Sequence, residues 1–520
     1  MKKTLSTFLG TLLFFLLFNS SFAQNDAVVK RIIEVGQTDN RTMQHLDILS
    51  NRIGGRLSGS DAYNNAVEWA AAEMRSWGME VSIEEAGTVP VGFNRGPWFG
   101  RLLGDNAMSL HFATPSYTSG TKGAQKGHVL IEPKSQEEFD KMKGLLKGAW
   151  ILVCGNNNGY PLDISANADK RRDSIITENN KIAAQNREIA MANWSSGKKQ
   201  DYLPLIEEPG LFYKQLRDAG ILGVIQSAKV PIQVMYDRKN MESMSFNNLP
   251  SVADIKLDES QYAVIKKMAE ERQDFLLEFD IRNHFKPGPV TFHNVIGKIK
   301  GTKYPDEYVI LGAHLDSYDV ATGGVDDGSG VSPIMEAARL IMAANGKPKR
   351  SILVCLFAAE EFGLVGSHSF VNQHKDKLSK ISNMMNRDYV PFVPTGISIP
   401  EAMYEDFVRI CEPINGINPE FPFEVTKREP RLRPKVARGS DHGPFAVEGV
   451  PTFSFNLGDV KGYNFEYDEV WHTERDLYNK SIPEYQNHTA IVSAIVAYGI
   501  ANLDHLLSRK GMYLEEKAVQ

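Results

Sequence analysis

Two uninterrupted apolar runs constrain the fold of this chain most strongly. Tyr308 begins the run YVILGAH, Ser351 begins the run SILVCLFAA, and a helix is predicted between them from about Val331 to Ala343. Strands that are apolar on both sides are typical of parallel sheets with helices on both faces. The sequence therefore predicts an α/β fold with a mainly parallel, doubly wound sheet.

Composition narrows the class of protein further. The chain has 520 residues, 42% hydrophobic and 23% charged, which suits about two to four ordered domains. Its net charge is −6 and becomes −8 when the first 23 residues, with two lysines and no acid, are left out. This balance does not favour binding to nucleic acid.

The first 23 residues have the pattern of a signal peptide. Lys2 and Lys3 precede an apolar run over residues 8–18, and small residues stand at the −3 and −1 positions of a cleavage site after Ala23. The run is shorter than the about 20 residues that a membrane helix needs. We expect cleavage after Ala23 and a secreted or periplasmic protein; the alternative is an uncleaved anchor.

A change of pattern predicts an inserted domain. Between residues 119 and 285, short apolar strands such as AWILVCG and LGVIQS alternate with polar helices. Within it, Asp163 to Asp201 is strongly polar and is predicted as a solvated helix on the outside. We predict an α+β insert over 119–285, flanked by two parts of the main domain over 24–118 and 286–520.

The three cysteines do not form a disulfide framework. Cys154, Cys355 and Cys411 are too few and odd in number. Cys355 lies inside SILVCLFAA and is predicted as a buried thiol. Pairing of Cys154 with Cys411 is left open.

Residues able to bind metal follow the predicted strands or lie in loops. The carboxyl ends of parallel strands meet at one edge of a sheet, where ligands bind. We therefore expect these residues to share one cleft. They are His314, Asp316, Asp326, Asp327, Glu360, Glu361, Asp388 and His472.

The mixture of residue types points to zinc. Zn²⁺ accepts imidazole nitrogen and carboxylate oxygen, and a pair of metal ions needs a carboxylate between them. Asp326, Glu361 and Asp388 carry −3, so a hydroxide between the ions would balance two Zn²⁺. Glu360 is then free to take a proton. Taken singly, Asp327 could merely cap a helix; the order and placement of the whole set favour the metal site.

These motifs resemble the co-catalytic zinc exopeptidases, the family that includes carboxypeptidase Q and secreted bacterial leucyl aminopeptidases. The likeness rests on HLDS, DDGSG eight residues later, AEE, a later Asp and HTxxD near the end. RLSGS from Arg56 and GSDHGPFAVEGVP from Gly439 bring it closest to the carboxypeptidase Q group. The resemblance implies a zinc exopeptidase fold, with the insert as a protease-associated-like domain packed over the cleft.

The resemblance also implies two zinc ions per chain. His314 and Asp388 would hold one ion, Glu361 and His472 would hold the other, and Asp326 would bridge them. Such a pair of ions activates a water that hydrolyses peptides, acting on dipeptides or short peptides from a chain end.

Four further residues receive roles from the resemblance. Glu360 would be the general base and then the general acid. Asp316 would bond the far nitrogen of His314 and fix its tautomer. Asp327 and Asp476 would support the site without binding metal. The sequence departs from the family at Arg387 and Trp471, which precede two of the ligands, and in the polar stretch 163–201.

Which chain end is anchored stays open. The basic stretch Lys427 to Arg438 could bind a substrate carboxylate, as in a carboxypeptidase or dipeptidase, although a solvated basic loop is the simpler interpretation. An acid near the zinc ions could instead hold a free amine, as in an aminopeptidase. The candidate substrate-binding residues are Arg438, Ser440, Asp441 and His442.

Other classes of protein fit the sequence less well. Glutaminyl cyclases share the fold with one zinc, and non-catalytic relatives would be expected to have lost ligands; the complete set of five argues against both. No GxSxG follows a strand, which disfavours a serine hydrolase. The expected partners are a short peptide and, in a homodimer, a second copy of the chain. No nucleic acid is expected, and no membrane after the signal is removed.

Overall fold

The computed structural model describes residues 26–196 and 199–514. The predicted signal peptide, residues 1–23, lies outside the described residues. Within the described ranges, no helix has the length and apolar character needed to cross a membrane.

Helices and strands alternate along most of the chain. The helices are α1 (26–38), α2 (Thr42–Asp47), α3 (Asp61–Ser76), α4 (Gln136–Met142), α5 (Ala166–Ser196), α6 (Tyr213–Asp218), α7 (Arg238–Glu242), α8 (Glu259–Glu270), α9 (Gly328–Ala343), α10 (Val365–Gln373), α11 (Tyr404–Cys411), α12 (His442–Val447) and α13 (Pro483–Ala501). The strands are β1 (Glu80–Val89), β2 (Gly92–Asn94), β3 (Trp98–Leu103), β4 (Met108–Ser109), β5 (Phe112–Ala113), β6 (Gln125–Gly127), β7 (Val129–Ile131), β8 (Trp150–Asn157), β9 (Gly223–Ala228), β10 (Ala253–Asp258), β11 (Leu276–Ile281), β12 (His284–Lys286), β13 (Val290–Ile299), β14 (Tyr304–His314), β15 (Arg350–Phe357), β16 (Ile381–Asn386), β17 (Val393–Ile399), β18 (Glu424–Lys427), β19 (Thr452–Phe453) and β20 (Phe455–Gly458).

The main sheet has the strand order β1-β13-β15-β14-β16-β19. β14 is parallel to both β15 and β16, and β16 is parallel to β19. β13 is antiparallel to both β1 and β15, so it alone runs against the direction of the others. The predicted mainly parallel α/β sheet is confirmed.

Helices cover both faces of this sheet. Along β15, Ile352 and Val354 pack in the same core as α3, α9 and α13, whereas Leu353 and Cys355 pack in a second core with α10 and α12. Alternate side chains of a strand point to opposite faces, and here both sets are buried. This is why SILVCLFAA is apolar at every position, and each buried aliphatic side chain contributes about 1.5–3 kcal/mol to stability.

A second unit is built from two smaller sheets. One has the order β5-β10-β9-β8-β7 and the other β4-β3-β11-β6. They share a core in which the Trp150 and Phe279 rings meet edge to face, 4.8 Å apart. Strands β3 to β5 precede residue 119, yet β3 pairs with β11 and β5 pairs with β10, while β4 pairs with β3. The domain boundaries at 119 and 285 stay predictions.

The polar stretch predicted as a solvated helix forms α5. Most of its side chains are exposed, but Asn179 is buried. Asn179 Nδ2 donates to the main-chain oxygens of Lys134 at 2.7 Å and Ile206 at 2.9 Å. These amide bonds hold the polar helix to its neighbours, together with a small apolar contact, since Ile176 is buried in the adjacent core.

All three cysteines are free thiols. Cys355 is buried, as predicted, and no bridge joins Cys154 to Cys411.

Candidate active site

The metal-binding candidates lie where three strands of the main sheet end. His314 is the last residue of β14 and pairs with Phe357, the last residue of β15. Glu360 and Glu361 follow β15, and Asp388 follows β16. Since these strands are parallel and adjacent, the chain direction alone brings the three segments to one edge.

Two groups of three potential ligands form at this edge. One group is His314, Asp326 and Asp388; the other is Asp326, Glu361 and His472; within each, the ligand atoms lie within 4.8 Å of one another. Asp326 belongs to both. Its Oδ1 lies 3.1 Å from His314 Nε2, and its Oδ2 lies 3.6 Å from His472 Nε2. One carboxylate therefore faces both imidazoles.

The remaining two acids each face one histidine. His314 Nε2 lies 3.7 Å from Asp388 Oδ1, and His472 Nε2 lies 3.1 Å from Glu361 Oε2. The side chains of His314 and Glu361 are only 1% and 4% exposed. The grouping matches the predicted assignment, and the ligand roles themselves stay predictions.

The electrostatics of the pocket show a shortage of positive charge. Burial raises the pKa of Glu361 well above its usual value, and the neighbouring Asp326 adds to the effect. Burial opposes protonation of His314, yet Asp327 and Asp388 outweigh it and raise the pKa of that imidazole. Buried carboxylates need a cation close by to remain ionised.

Several buried carboxylate oxygens also lack a partner. Among the described residues, Glu361 Oε1, Asp327 Oδ1 and Asp316 Oδ2 accept no hydrogen bond. Imidazole nitrogens and carboxylate oxygens are the donors that zinc prefers, and a cation between them would satisfy both charge and coordination. The side chains present therefore fit zinc.

His472 differs from His314 in its charge state and its backbone. Burial lowers its pKa to about 4, so its imidazole is neutral near pH 7. Its φ of 57° lies in the left-handed region, which is uncommon for residues other than glycine. Such strain persists only where the surrounding structure holds the residue.

Asp316 lies beside His314 as expected, but its main-chain carbonyl and its carboxylate contact different groups. His314 Nδ1 lies 3.1 Å from the main-chain oxygen of Asp316 and 3.4 Å from its Oδ1. The same Oδ1 accepts from the main-chain N–H of Glu360 at 3.2 Å. Asp316 thus orients the His314 ring chiefly through its carbonyl, while its carboxylate ties the end of β14 to the segment carrying the two glutamates.

Two supporting acids bond to the main chain beside the ligands. Asp327 Oδ2 accepts from the N–H of His314 at 3.1 Å and makes no capping bond to α9, so the capping interpretation is wrong. Asp476 accepts from the N–H groups of Val325 at 2.6 Å and Asp326 at 3.3 Å. Both carboxylates fix the backbone of ligand residues.

Arg56 holds the loop between His314 and Asp326. Its fully buried guanidinium donates from Nε to Leu315 O at 2.5 Å and from Nη1 to Thr322 O at 3.1 Å and Gly323 O at 3.2 Å. In the sequence, Arg56 stands out only as the first residue of RLSGS, a motif that contributes to the family resemblance. Its carbonyl partners carry no side-chain signature, so the sequence could not reveal the role.

Two tyrosines at the site could not be identified from the sequence. The Tyr318 ring lies 4.1 Å from the His472 ring. Burial raises the pKa of Tyr467, and the nearby charges of Asp326 and Asp388 raise it further. An aromatic residue in a loop is too common to single out without coordinates.

The four candidate substrate residues divide into two sets. Ser440 and Asp441 are buried, and Ser440 Oγ accepts from Asn386 Nδ2 at 2.7 Å, just before Asp388. Burial raises the pKa of Asp441 to about 7, and burial lowers the pKa of His442. Arg438, in contrast, is exposed.

Part of the basic stretch is engaged with the fold. Lys427 Nζ pairs with Glu401 at 2.9 Å, and Arg433 donates to Val447 O at 2.6 Å. Arg431 lies near enough to His442 to lower the pKa of that imidazole. Within the described part of the chain, the Lys435 and Arg438 side chains are exposed and form no ion pair, which leaves them free for a ligand.

Comparison with known proteins identifies the family. Residues 294–496 match the profile of Peptidase family M28. Carboxypeptidase Q of Rattus norvegicus is 32% identical over 508 residues, covering 94% of this chain and 91% of the relative. Carboxypeptidase Q of Homo sapiens is 24% identical over 503 residues, with 93% and 90% covered.

Solved structures share the fold. A peptidase M28 precursor from Shewanella amazonensis SB2B superposes with a TM-score of 0.57 at 20% identity, covering 94% of this chain and 99% of that one. A zinc aminopeptidase from Bacillus subtilis gives a TM-score of 0.51 at 16% identity, with 91% and 97% covered. This chain belongs to peptidase family M28 and is a zinc-dependent exopeptidase.

Proposed function

We propose that this enzyme binds two zinc ions and hydrolyses dipeptides or short peptides from the carboxyl end. The observation that carries the proposal is the position of Asp326, whose two oxygens face the two histidines at 3.1 Å and 3.6 Å. His314 and Asp388 would hold one ion, and Glu361 and His472 the other. Zinc bound there would lower the pKa of water and polarise a carbonyl oxygen.

Glu360 is the residue for proton transfer. It stands next to Glu361, but it belongs to neither ligand group. Burial raises the pKa of its carboxyl well above the usual value, so the group can hold a proton between two steps. Glu360 takes a proton from the attacking water and then delivers it to the leaving amine.

Asp316 and Asp327 keep this geometry fixed. Asp316 accepts from the main-chain N–H of Glu360, and Asp327 accepts from that of His314. Bonds of this kind reduce the reorganisation needed during the reaction. Neither residue transfers a proton.

Titration with zinc tests the metal count. Chelator-treated enzyme receives Zn²⁺ stepwise while dipeptide hydrolysis is followed. Activity is expected to reach its maximum at two equivalents per chain. A maximum at one equivalent, with no gain from a second, would contradict the two-zinc proposal.

Anchoring of the substrate carboxylate is supported by the exposed cations of the basic stretch. Arg431 lies near His442, and His442 also senses the charge of Asp388, so this stretch runs close to the site. Charge-assisted bonds to a carboxylate are worth about 1.5–3 kcal/mol. This chain covers most of the length of two relatives named carboxypeptidase Q, and that name is in keeping with anchoring of the carboxyl end.

An aminopeptidase is the second candidate, and Asp441 favours it. Among the described residues, both oxygens of this buried carboxylate lack a hydrogen-bond partner, and a substrate amine would supply one. Comparing one dipeptide with its N-acetylated and C-amidated forms separates the two. Carboxyl anchoring predicts that amidation lowers kcat/KM about tenfold or more; a loss on acetylation alone would indicate an aminopeptidase.

Substitution of basic residues tests whether this stretch binds the substrate carboxylate. Arg438→Gln should raise KM for the free dipeptide and leave the amidated form unaffected. Lys427→Gln is the matched control, because Lys427 already pairs with Glu401. The same KM in the two variants would show that Arg438 does not bind the substrate carboxylate.

We also propose that the enzyme is exported. Support comes from the basic, apolar and small-residue pattern over residues 1–23. N-terminal sequencing of the native protein should begin at Gln24. An intact Met1 in the native protein would contradict export by this signal. Assembly into a homodimer stays a prediction.

A further inference from the structure

The two histidines of the site find partners for their second ring nitrogen in different parts of the chain. His314 Nδ1 lies 3.1 Å from the carbonyl oxygen of Asp316 at the end of the same strand. His472 Nδ1 lies 3.1 Å from the thioether Sδ of Met235, which is 237 residues away in sequence. Metal-binding histidines usually donate this N–H to a carboxylate, a carbonyl or water, so a thioether is an unusual partner.

A thioether restricts the tautomer of the imidazole. Sulfur in methionine accepts a hydrogen bond weakly and has no proton to donate. The contact is therefore attractive only when Nδ1 of His472 carries the hydrogen. In that tautomer Nε2 keeps its lone pair, and Nε2 is the atom that faces Glu361 at 3.1 Å and Asp326 at 3.6 Å.

Main-chain bonds fix Met235 against the histidine. The N–H of Val234 donates to His472 O at 2.8 Å, and the N–H of Glu474 donates to Ile232 O at 3.3 Å. The N–H of Met235 itself donates to Gly159 O at 2.9 Å. The segment Ile232–Met235, here termed the bracing segment, therefore runs beside the strained backbone of His472 and holds the sulfur in place.

We propose that Met235 is a positioning residue for zinc binding. By accepting from Nδ1, it selects the tautomer in which His472 Nε2 can bind the ion held with Asp326 and Glu361. The inserted part of the chain thus completes one half of the metal site. This inference rests on the proposed two-zinc function.

Zinc affinity of the full chain tests the proposal without any activity assay. Competition with a chelator gives the two affinities of the metal-free protein for Zn²⁺. Met235→Leu keeps the volume and removes the acceptor, and it should weaken one of the two sites about 10-fold to 100-fold. Met235→Gln supplies a new acceptor of similar length and should keep both affinities within about threefold of wild type.

The pair of variants separates acceptance of a hydrogen bond from packing. If Met235 acted only by filling space, Leu would be tolerated and Gln would not. Met241→Leu is the matched control, because Met241 is a buried methionine of the same region; both zinc affinities should stay unchanged. Unchanged affinities in Met235→Leu, or equal losses in the Leu and Gln variants, would overturn the proposal.

Nitrogen NMR of the metal-free protein gives a second readout. Wild type should show the hydrogen of His472 on Nδ1, and Met235→Leu should show a mixture of tautomers. A wild-type ring protonated on Nε2 would overturn the assignment. If wild type binds one zinc only, the two-zinc function fails, while the Met235 inference is still decided by the tautomer of His472.

Discussion

The two halves of the proposed metal site are held in place by different means. His314 ends a central strand of the main sheet, and its supports, Asp316, Asp327 and Arg56, belong to loops at the edge of that sheet. His472 lies in a loop with a left-handed φ of 57°, and the bracing segment bonds to its main chain. One half inherits its geometry from the core, and the other depends on a contact between distant parts of the chain.

This difference separates a ligand placed by the edge of the main sheet from a ligand placed by a loop that a distant segment supports. The carboxyl ends of neighbouring parallel strands lie at one edge of the sheet, so side chains there are close together without support from another element. A ligand that comes from a loop needs a second element to fix its orientation. Asp326 joins the halves, since it faces both histidines. Variants in either half, or outside both, therefore distinguish residues that take part in the reaction from residues that hold the ligands in position.

The largest effect is expected for Glu360, which belongs to neither half. Glu360→Gln keeps the shape of the side chain and removes the base, so kcat should fall about 10²-fold to 10⁴-fold while both zinc affinities remain. Glu361→Gln is the adjacent control and should weaken zinc binding in the His472 half. Near wild-type turnover of fully zinc-loaded Glu360→Gln would remove Glu360 as the general base.

The next effect is a loss of stability in the His314 half. Arg56→Gln leaves the carbonyls of Leu315, Thr322 and Gly323 buried without their donor, and the free energy of unfolding should fall by about 3–5 kcal/mol. Denaturant unfolding measures this. Arg52→Gln, which breaks only an exposed pair with Asp47, should change stability by less than about 0.5 kcal/mol. Equal losses would show that the loop does not depend on Arg56.

Two buried groups at the site, Asp441 and His472, should make stability respond to pH in opposite directions in metal-free protein. Burial raises the pKa of Asp441 to about 7, so the folded state holds a proton that the unfolded state has released. Stability from this group therefore falls as pH rises from about 4 to 7, by about 4 kcal/mol. Burial lowers the pKa of His472 to about 4, so its contribution rises from pH 4 to about 6.5, by about 3 kcal/mol.

Unfolding in the presence of a chelator, at pH 4.5 and pH 7.5, separates these terms. Asp441→Asn should remove the decline with pH, and His472→Gln should remove the rise. Variants that shift stability in the same direction would contradict the assigned protonation states.

The smallest effect is expected for the outer side chain of the bracing segment. Gln233 Nε2 donates to Trp471 O at 3.4 Å near the surface. Gln233→Ala should change zinc affinity by less than about threefold, because the main-chain bonds of Val234 and Glu474 remain. A tenfold loss would show that the segment acts through this side chain and not through its backbone and Met235.

The parts of the site that follow from strand order could be predicted from sequence. His314 is the last residue of one apolar run, Glu361 and Asp388 follow β15 and β16, and parallel neighbouring strands bring these ends to one edge. Residue type and order make Asp326 and His472 candidates too, but which ion each would hold comes only from the resemblance, because loops have no fixed destination. The α/β class followed from the same runs.

Support from distant residues could not be predicted. Arg56 bonds to carbonyls, which every residue carries, and the partner of its Nε is 259 residues away. Met235 meets His472 across 237 residues, in a region whose sequence pattern predicted only strands and polar helices. Such contacts depend on how two units pack, and no local spacing encodes that.

Anomalous diffraction at the zinc edge, from crystals of the zinc-loaded enzyme, locates the bound ions. Two peaks are expected on opposite sides of the Asp326 carboxylate, one bound by His314 and Asp388 and the other by Glu361 and His472. A single peak, or a second one away from Asp326, would contradict the two-zinc proposal.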